Sequence, residues 1–306
     1  MTAAAAFDEQ TQTLPISAAT LTRQEPGSRT DPLLPAQALT LSRAGFGKQP
    51  VSKASKSKRR PPECSTNSRS PAARLRAQLP AFAPLLEELE IAGWSASGSP
   101  PRGNFHDWLL LGNDRVLVVT GHAANSEPAD ADESALVAQA AWSAIRAHAL
   151  HIRDAGKLLS LAAQTVWPSP EAGIRAAVAV ALVDTTGGQV SIALAGDCLA
   201  WRIRAASCEQ FTIRQPLLGA AAEFAYLSHA FELSLRERLI LTVDDTLARP
   251  PRLATTIAST FSHLDAETHR RMTAAEAVAL VSGHYELAAP NSPPAASASI
   301  AAIRRR

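Results

Sequence analysis

Cysteine is nearly absent: Cys64, Cys198 and Cys208 are the three in 306 residues. They are too few and too irregularly spaced for a disulfide framework or a cysteine zinc site, so a reduced, cytoplasmic setting is the expectation. Aromatic residues are scarce, at 5%, while Ala is abundant, which predicts a core of small aliphatic side chains. The longest apolar run, Ala176 to Val183, is far short of the ~20 residues a membrane helix needs. Met1 to Glu9 shows no basic stretch followed by an apolar one, so no secretory signal is expected. Gly103 and Gly187-Gly188 punctuate turns, and neither has the Lys of a phosphate loop.

What is present is enough apolar sequence, 46% against 19% charged, for a sizeable core. Charge is unevenly spread. Between Leu41 and Arg76 ten Lys and Arg face one acid, Glu63, so this segment carries +9 and the rest of the +2 chain carries −7. Residues 1 to 72 are rich in Ala, Ser, Thr, Pro, Gln and Lys without periodicity, and cannot offset the entropy of ordering their backbone. They read as a disordered basic tail. Its Lys53–Arg60 cluster is a solvated charge block or, in a second reading, a contact for nucleic acid or an anionic membrane surface.

Order begins near Arg74, in a short helical stretch broken by Pro80 and Pro84. Glu88–Ser97 has a β-like centre. Phe105–Leu111 and Arg115–Thr120 flank Gly112-Asn113-Asp114 and predict a hairpin. Asp130–Ile152 has helical spacing, with Asp132 and Glu133 where the helix dipole favours acids, and Ala155–Val166 continues as a second helix. Ile174–Val183 and Gln189–Leu194 predict another hairpin across Gly187-Gly188. Cys198–Arg204, Gln210–Ile213, Phe224–Leu233 and Leu239–Val243 read as strands, Arg252–Ser262 and Thr273–Tyr285 as helices, and Ser299–Ile303 as a last strand. This blocky order predicts an α+β fold rather than an alternating parallel one.

Several stretches in this order carry a resemblance. Leu79-Pro80, then Leu89-Glu90-Ile91-Ala92-Gly93-Trp94, then Gly103-Asn104-Phe105-His106-Asp107-Trp108 resemble the entry to metal-dependent PPM-type phosphatase domains of the sporulation-stage-II-E and RsbU kind. There a linker helix ends in Leu-Pro, an apolar strand follows, and Gly-Asp-Phe-Tyr-Asp opens the catalytic sheet. Val118-Val119-Thr120-Gly121-His122 stands where that family writes a strand ending in Gly-Asp. Leu239-Ile240-Leu241-Thr242-Val243-Asp244-Asp245 stands where it writes a strand ending in Tyr-Thr-Asp-Gly. Val190–Arg204, with Ala195-Gly196-Asp197, resembles its Ala-Gly-His or Gly-Asp-Ser hairpin. The likeness covers roughly residues 74–306.

The resemblance implies a four-layer α-β-β-α sandwich of two mostly antiparallel sheets. It also implies two Mn²⁺ or Mg²⁺ ions at one end of the sheets, which would activate a water against phosphoserine. Hard cations want oxygen ligands, mostly Asp. Here the first Asp is Asn104, though Asp107 is kept, and the bridging Asp is His122. Asp244 is kept while the next Gly is Asp245, and Ala296-Ser297 stands where the family places Asp-Asp. Asp107 and Asp244 are remnant metal ligands in one reading and strand-end caps in another. A rebuilt site for zinc from His106, His122, Asp107 and Asp244 is a further alternative. Asp197 reads as a turn residue, the acids Glu127 to Glu133 as helix-start charges, and His148, His151, His263, His269 and His284 have no assigned role.

Taken together, the sequence predicts a degenerate, inactive phosphatase-like domain in bacterial signalling, with little or no Mn²⁺ or Mg²⁺ bound and a regulatory protein as partner, phosphorylated in one form of this reading. A residually active phosphoserine or phosphothreonine phosphatase is the alternative, and an adaptor contacting nucleic acid or membrane through the tail is the third reading.

Overall fold

The computed structural model describes residues 70–96, 103–124, 131–167, 175–204, 207–211, 214–244, 252–288 and 298–306. Of the tail expected over residues 1–72, everything up to Arg69, including Lys53–Arg60, lies outside them, while Ser70 to Ala72 instead cap and open a helix.

Among the described residues there are ten strands and six helices. Helix α1 (Pro71–Gln78) starts on the Ser70 cap, whose hydroxyl accepts from the Ala73 amide, and stops before Pro80. Strands β1 (Leu89–Ser95), β2 (Asn104–Leu111) and β3 (Arg115–Ala124) follow, then helices α2 (Ala131–Ala149) and α3 (Ala155–Val166). A meander of β4 (Arg175–Asp184), β5 (Gln189–Ala195), β6 (Cys198–Arg204), β7 (Ser207–Phe211), β8 (His229–Glu232) and β9 (Arg238–Asp244) comes next. Helices α4 (Arg252–His263), α5 (Ala266–Arg271) and α6 (Ala274–Ala288) precede the last strand, β10 (Ala298–Arg305).

The strands form two five-stranded sheets, ordered β1-β10-β9-β6-β7 and β2-β3-β4-β5-β8, and every ladder is antiparallel. Alternation along each strand sorts the side chains into three cores. Phe105, Leu117, Val119, Val178 and Val180 join α1, α2 and α3 on the outer face of the β2–β8 sheet. Val116, Val118, Ala177, Ile192, Leu241 and Ile303 fill the space between the sheets. Trp201, Ile240, Ile300, Phe261 and Val281 pack the α4–α6 layer on the other sheet. This is the expected α+β four-layer sandwich, and its core is Ala-rich as the composition implies.

The local differences have identifiable causes. The β2–β3 turn is a hairpin, with Asn113 and Asp114 at φ 60° and 52°, conformations that Asn and Asp tolerate well. β3 runs on through Thr120 to Ala124, because Gly121 and Ala123 keep their places in the ladder with β4. The β5–β6 connection is a corner rather than a hairpin: β5 pairs β4 and β8, while β6 pairs β9 and β7 in the other sheet. Gly196, at φ +75°, supplies the left-handed backbone this corner needs. Only His229–Glu232 of Phe224–Leu233 is a strand, since the Gln215 side chain binds the Leu227 amide and carbonyl in place of a ladder. β7 begins earlier than expected, at Ser207, and ends at Phe211. Helix α5, capped by Asp265, was not expected.

Candidate functional site

One end of the sandwich gathers the strand ends that the motifs mark. Here β1, β3, β5 and β9 finish and β2, β4, β6 and β10 begin, so it is a mouth between the sheets. Asn104 and His122 are cross-strand partners on β2 and β3. Asp244 pairs with Ala298 on β10, and the Ala298 carbonyl accepts from the Ala96 amide, 2.8 Å away. Asp245 and Ser297 lie outside the described residues, as does the side chain of Asp244.

At the mouth, Asn104 Oδ1 and His122 Nδ1 are 2.9 Å apart. Asn104 Nδ2 donates to the Ala96 carbonyl at 3.3 Å, which fixes the amide orientation and leaves Oδ1 as the acceptor. His122 Nδ1 therefore carries the proton. Both side chains are buried, at 9% and 5% exposed. One layer deeper, Ser95 Oγ sits 2.8 Å from His106 Nδ1 and 2.6 Å from Ser299 Oγ. Burial pushes the His106 imidazole down from the usual 6.5 to about 4, against the upward pull of Asp107. At neutral pH the ring is neutral, and its Nδ1 accepts from Ser95 or donates to it. Gly93 makes room for it: a Cβ there would stand 2.3 Å from His106 Cδ2.

Asp107 is on the other face of β2, with Phe105 and Leu109. Its Oδ2 accepts from Trp142 Nε1 at 2.6 Å and from Arg146 Nη1 at 2.5 Å, and the guanidinium also lies 5.3 Å from the Trp142 ring centre. The carboxylate is 6% exposed. It ties the sheet to α2 and points away from the mouth. His106 and His122 face inward while Asp107 faces outward, so the three do not share a coordination sphere, which removes the rebuilt zinc site as it was drawn. Trp142 and Arg146 carry no motif; their four-residue spacing on one face of α2 is the one local hint that they act together. Asp197, at the β5–β6 corner, is exposed.

Among the described residues, no three or more His, Cys, Asp and Glu side chains group closely enough to hold a metal ion. The mouth positions described offer an amide and an imidazole bonded to each other, and no carboxylate. Two hard cations need several anionic oxygens, so this donor set does not fit a Mn²⁺ or Mg²⁺ pair.

No protein-family model matches the sequence, and a search of curated proteins finds no match. Solved structures do match in fold. The RsbU and RsbW domains of Rv1364c from Mycobacterium tuberculosis superpose with a TM-score of 0.55 at 19% identity, over 73% of this chain and 61% of that one. The PP2C phosphatase domain and regulatory fragment of SpoIIE, a cell fate determinant of Bacillus subtilis, gives 0.57 at 10% identity, over 71% and 63%. The SiaA-PP2C domain of Pseudomonas aeruginosa gives 0.56 at 16% identity, over 76% and 93%. The chain thus spans about three fifths of the first two proteins and nearly all of the third domain. With two stacked antiparallel sheets, helices on both outer faces and the motif positions drawn to one end, the chain has the fold of the PP2C-type phosphatase domains.

Proposed function

We propose that this is a degenerate PPM-type phosphatase-like domain that serves bacterial signalling by binding a regulatory protein, a phosphorylated one in the fullest form of the reading, and not by hydrolysing phosphate. The observation that carries it is the Asn104–His122 pair. At the two positions where the family resemblance implies carboxylates on metal, the side chains are an amide and an imidazole, buried and bonded to one another. Among the described side chains facing the mouth, none is a carboxylate that would help hold a cation pair and so generate hydroxide at neutral pH. Asp107, the carboxylate kept nearby, is committed to Arg146 and Trp142. The similar structures support the signalling context by their own descriptions, which pair RsbU with RsbW in one case and name a cell fate determinant in another.

A residually active phosphatase is the second reading, favoured by one observation: the end of β9 at Asp244 reaches the same mouth. Phosphate release from a phosphoserine peptide in Mn²⁺, for wild type and Asp244→Ala, separates the two. Equal, background rates support the degenerate domain, and a wild-type rate well above that of the variant establishes the phosphatase. In both readings the setting is cytoplasmic. Among the described residues no helix is long and apolar enough to cross a membrane.

A further inference from the structure

The mouth of a two-sheet sandwich is a weak point. Near it the inner faces carry small side chains, Gly93, Ala177 and Cys198, beside the buried Val243. Four polar side chains are nevertheless buried there: Asn104 at 9%, His106 at 6%, His122 at 5% and Ser299 at 0% exposed. Buried polar groups are tolerated only when partnered, and each of these has a partner.

Two of the resulting contacts cross from sheet to sheet. Asn104 on β2 donates to the carbonyl of Ala96, the residue after β1, while its other amide atom holds His122 on β3. His106 on β2 meets Ser95 on β1, which in turn meets Ser299 on β10. Four strands, β1 and β10 of one sheet and β2 and β3 of the other, are therefore tied by two short chains of hydrogen bonds. We propose that these chains form a metal-free lock: they hold the two sheets together at the mouth, in the place where the family resemblance implies a cation pair, so that the folded mouth needs no divalent ion.

The lock rests on reading the mouth as metal-free, and it goes further by naming what holds the strand ends instead. Truncating Asn104 severs one inter-sheet contact and removes its bonds to His122 Nδ1 and to the Ala96 carbonyl. Truncating Ser95 breaks the other chain in its middle. A bound cation, by contrast, raises the melting temperature by mass action.

Thermal unfolding of the full chain, in EDTA and in millimolar Mn²⁺, tests this. Wild type is expected to melt at the same temperature in both. Asn104→Ala is expected to melt about 4–8 °C lower in both, and Ser95→Ala, the milder change, about 2–4 °C lower. If Asn104→Ala does not fold, Ser95→Ala carries the comparison. Variants that melt with wild type, with no response to Mn²⁺, overturn the lock and leave the proposed function standing. A wild-type melting temperature several degrees higher in Mn²⁺ overturns both.

Discussion

Asp107 and Arg146 meet across the sheet–helix boundary, with Arg146 Nη1 donating to Asp107 Oδ2 at 2.5 Å, while Trp142 Nε1 donates to the same oxygen. Asp107, one of the two carboxylates kept from the family pattern, is thus a structural tie between β2 and α2.

That assignment has a measurable consequence. Asp107→Ala leaves the buried Trp142 N–H without an acceptor and the half-exposed Arg146 without its counter-charge. A loss of about 1–3 kcal/mol is expected in urea unfolding, towards the lower figure because the guanidinium is 40% exposed and already screened by water. Unchanged stability together with weakened Mn²⁺ binding would instead make Asp107 a ligand.

His106 makes the fold acid-sensitive in a defined window. Its folded value is about 4, below the usual 6.5, so the unfolded chain takes up its proton first as pH falls. The contribution is complete above pH 6.5 and is lost progressively between 6.5 and 4, on the order of 3 kcal/mol in all. Urea midpoints measured across pH 7 to 4 should fall in wild type and fall less steeply in His106→Gln. Parallel slopes would show that other groups set the acid response.

Neither described thiol is poised for reaction. Burial pushes Cys198 far up, with the Asp197 charge adding to it, and pushes Cys208 to about 11. In a Cys64→Ser background, native protein at pH 8 should react with a thiol reagent at least on the order of a hundredfold more slowly than a free thiol, and fully once denatured. Fast labelling of either cysteine in the native state would contradict the burial seen.

Much of this architecture could be read from local pattern. The apolar runs of β3 and β4, the 3.6-residue spacing of α2 and the turn residues Asn113 and Asp114 each announce their own element. The β5–β6 corner could not be read that way. An apolar run, Gly-Asp and a second apolar run look the same whether the second strand folds back or leaves for the other sheet. At the mouth, the substitutions at Asn104 and His122 were visible as departures from a motif, but their direct bond was not. Contacts such as Asp107–Arg146, 39 residues apart, or Ser95–Ser299, 204 apart, exist only once the strands are registered and the helix is laid on the sheet. No spacing rule encodes them.

Calorimetric titration of the full chain with Mn²⁺ at neutral pH reaches the central claim most directly. With an amide and an imidazole bonded to each other where carboxylates would stand, no binding heat attributable to a tight site is predicted. Two tight sites per chain would show that the mouth still assembles a cation pair, and would return the domain to the working phosphatases.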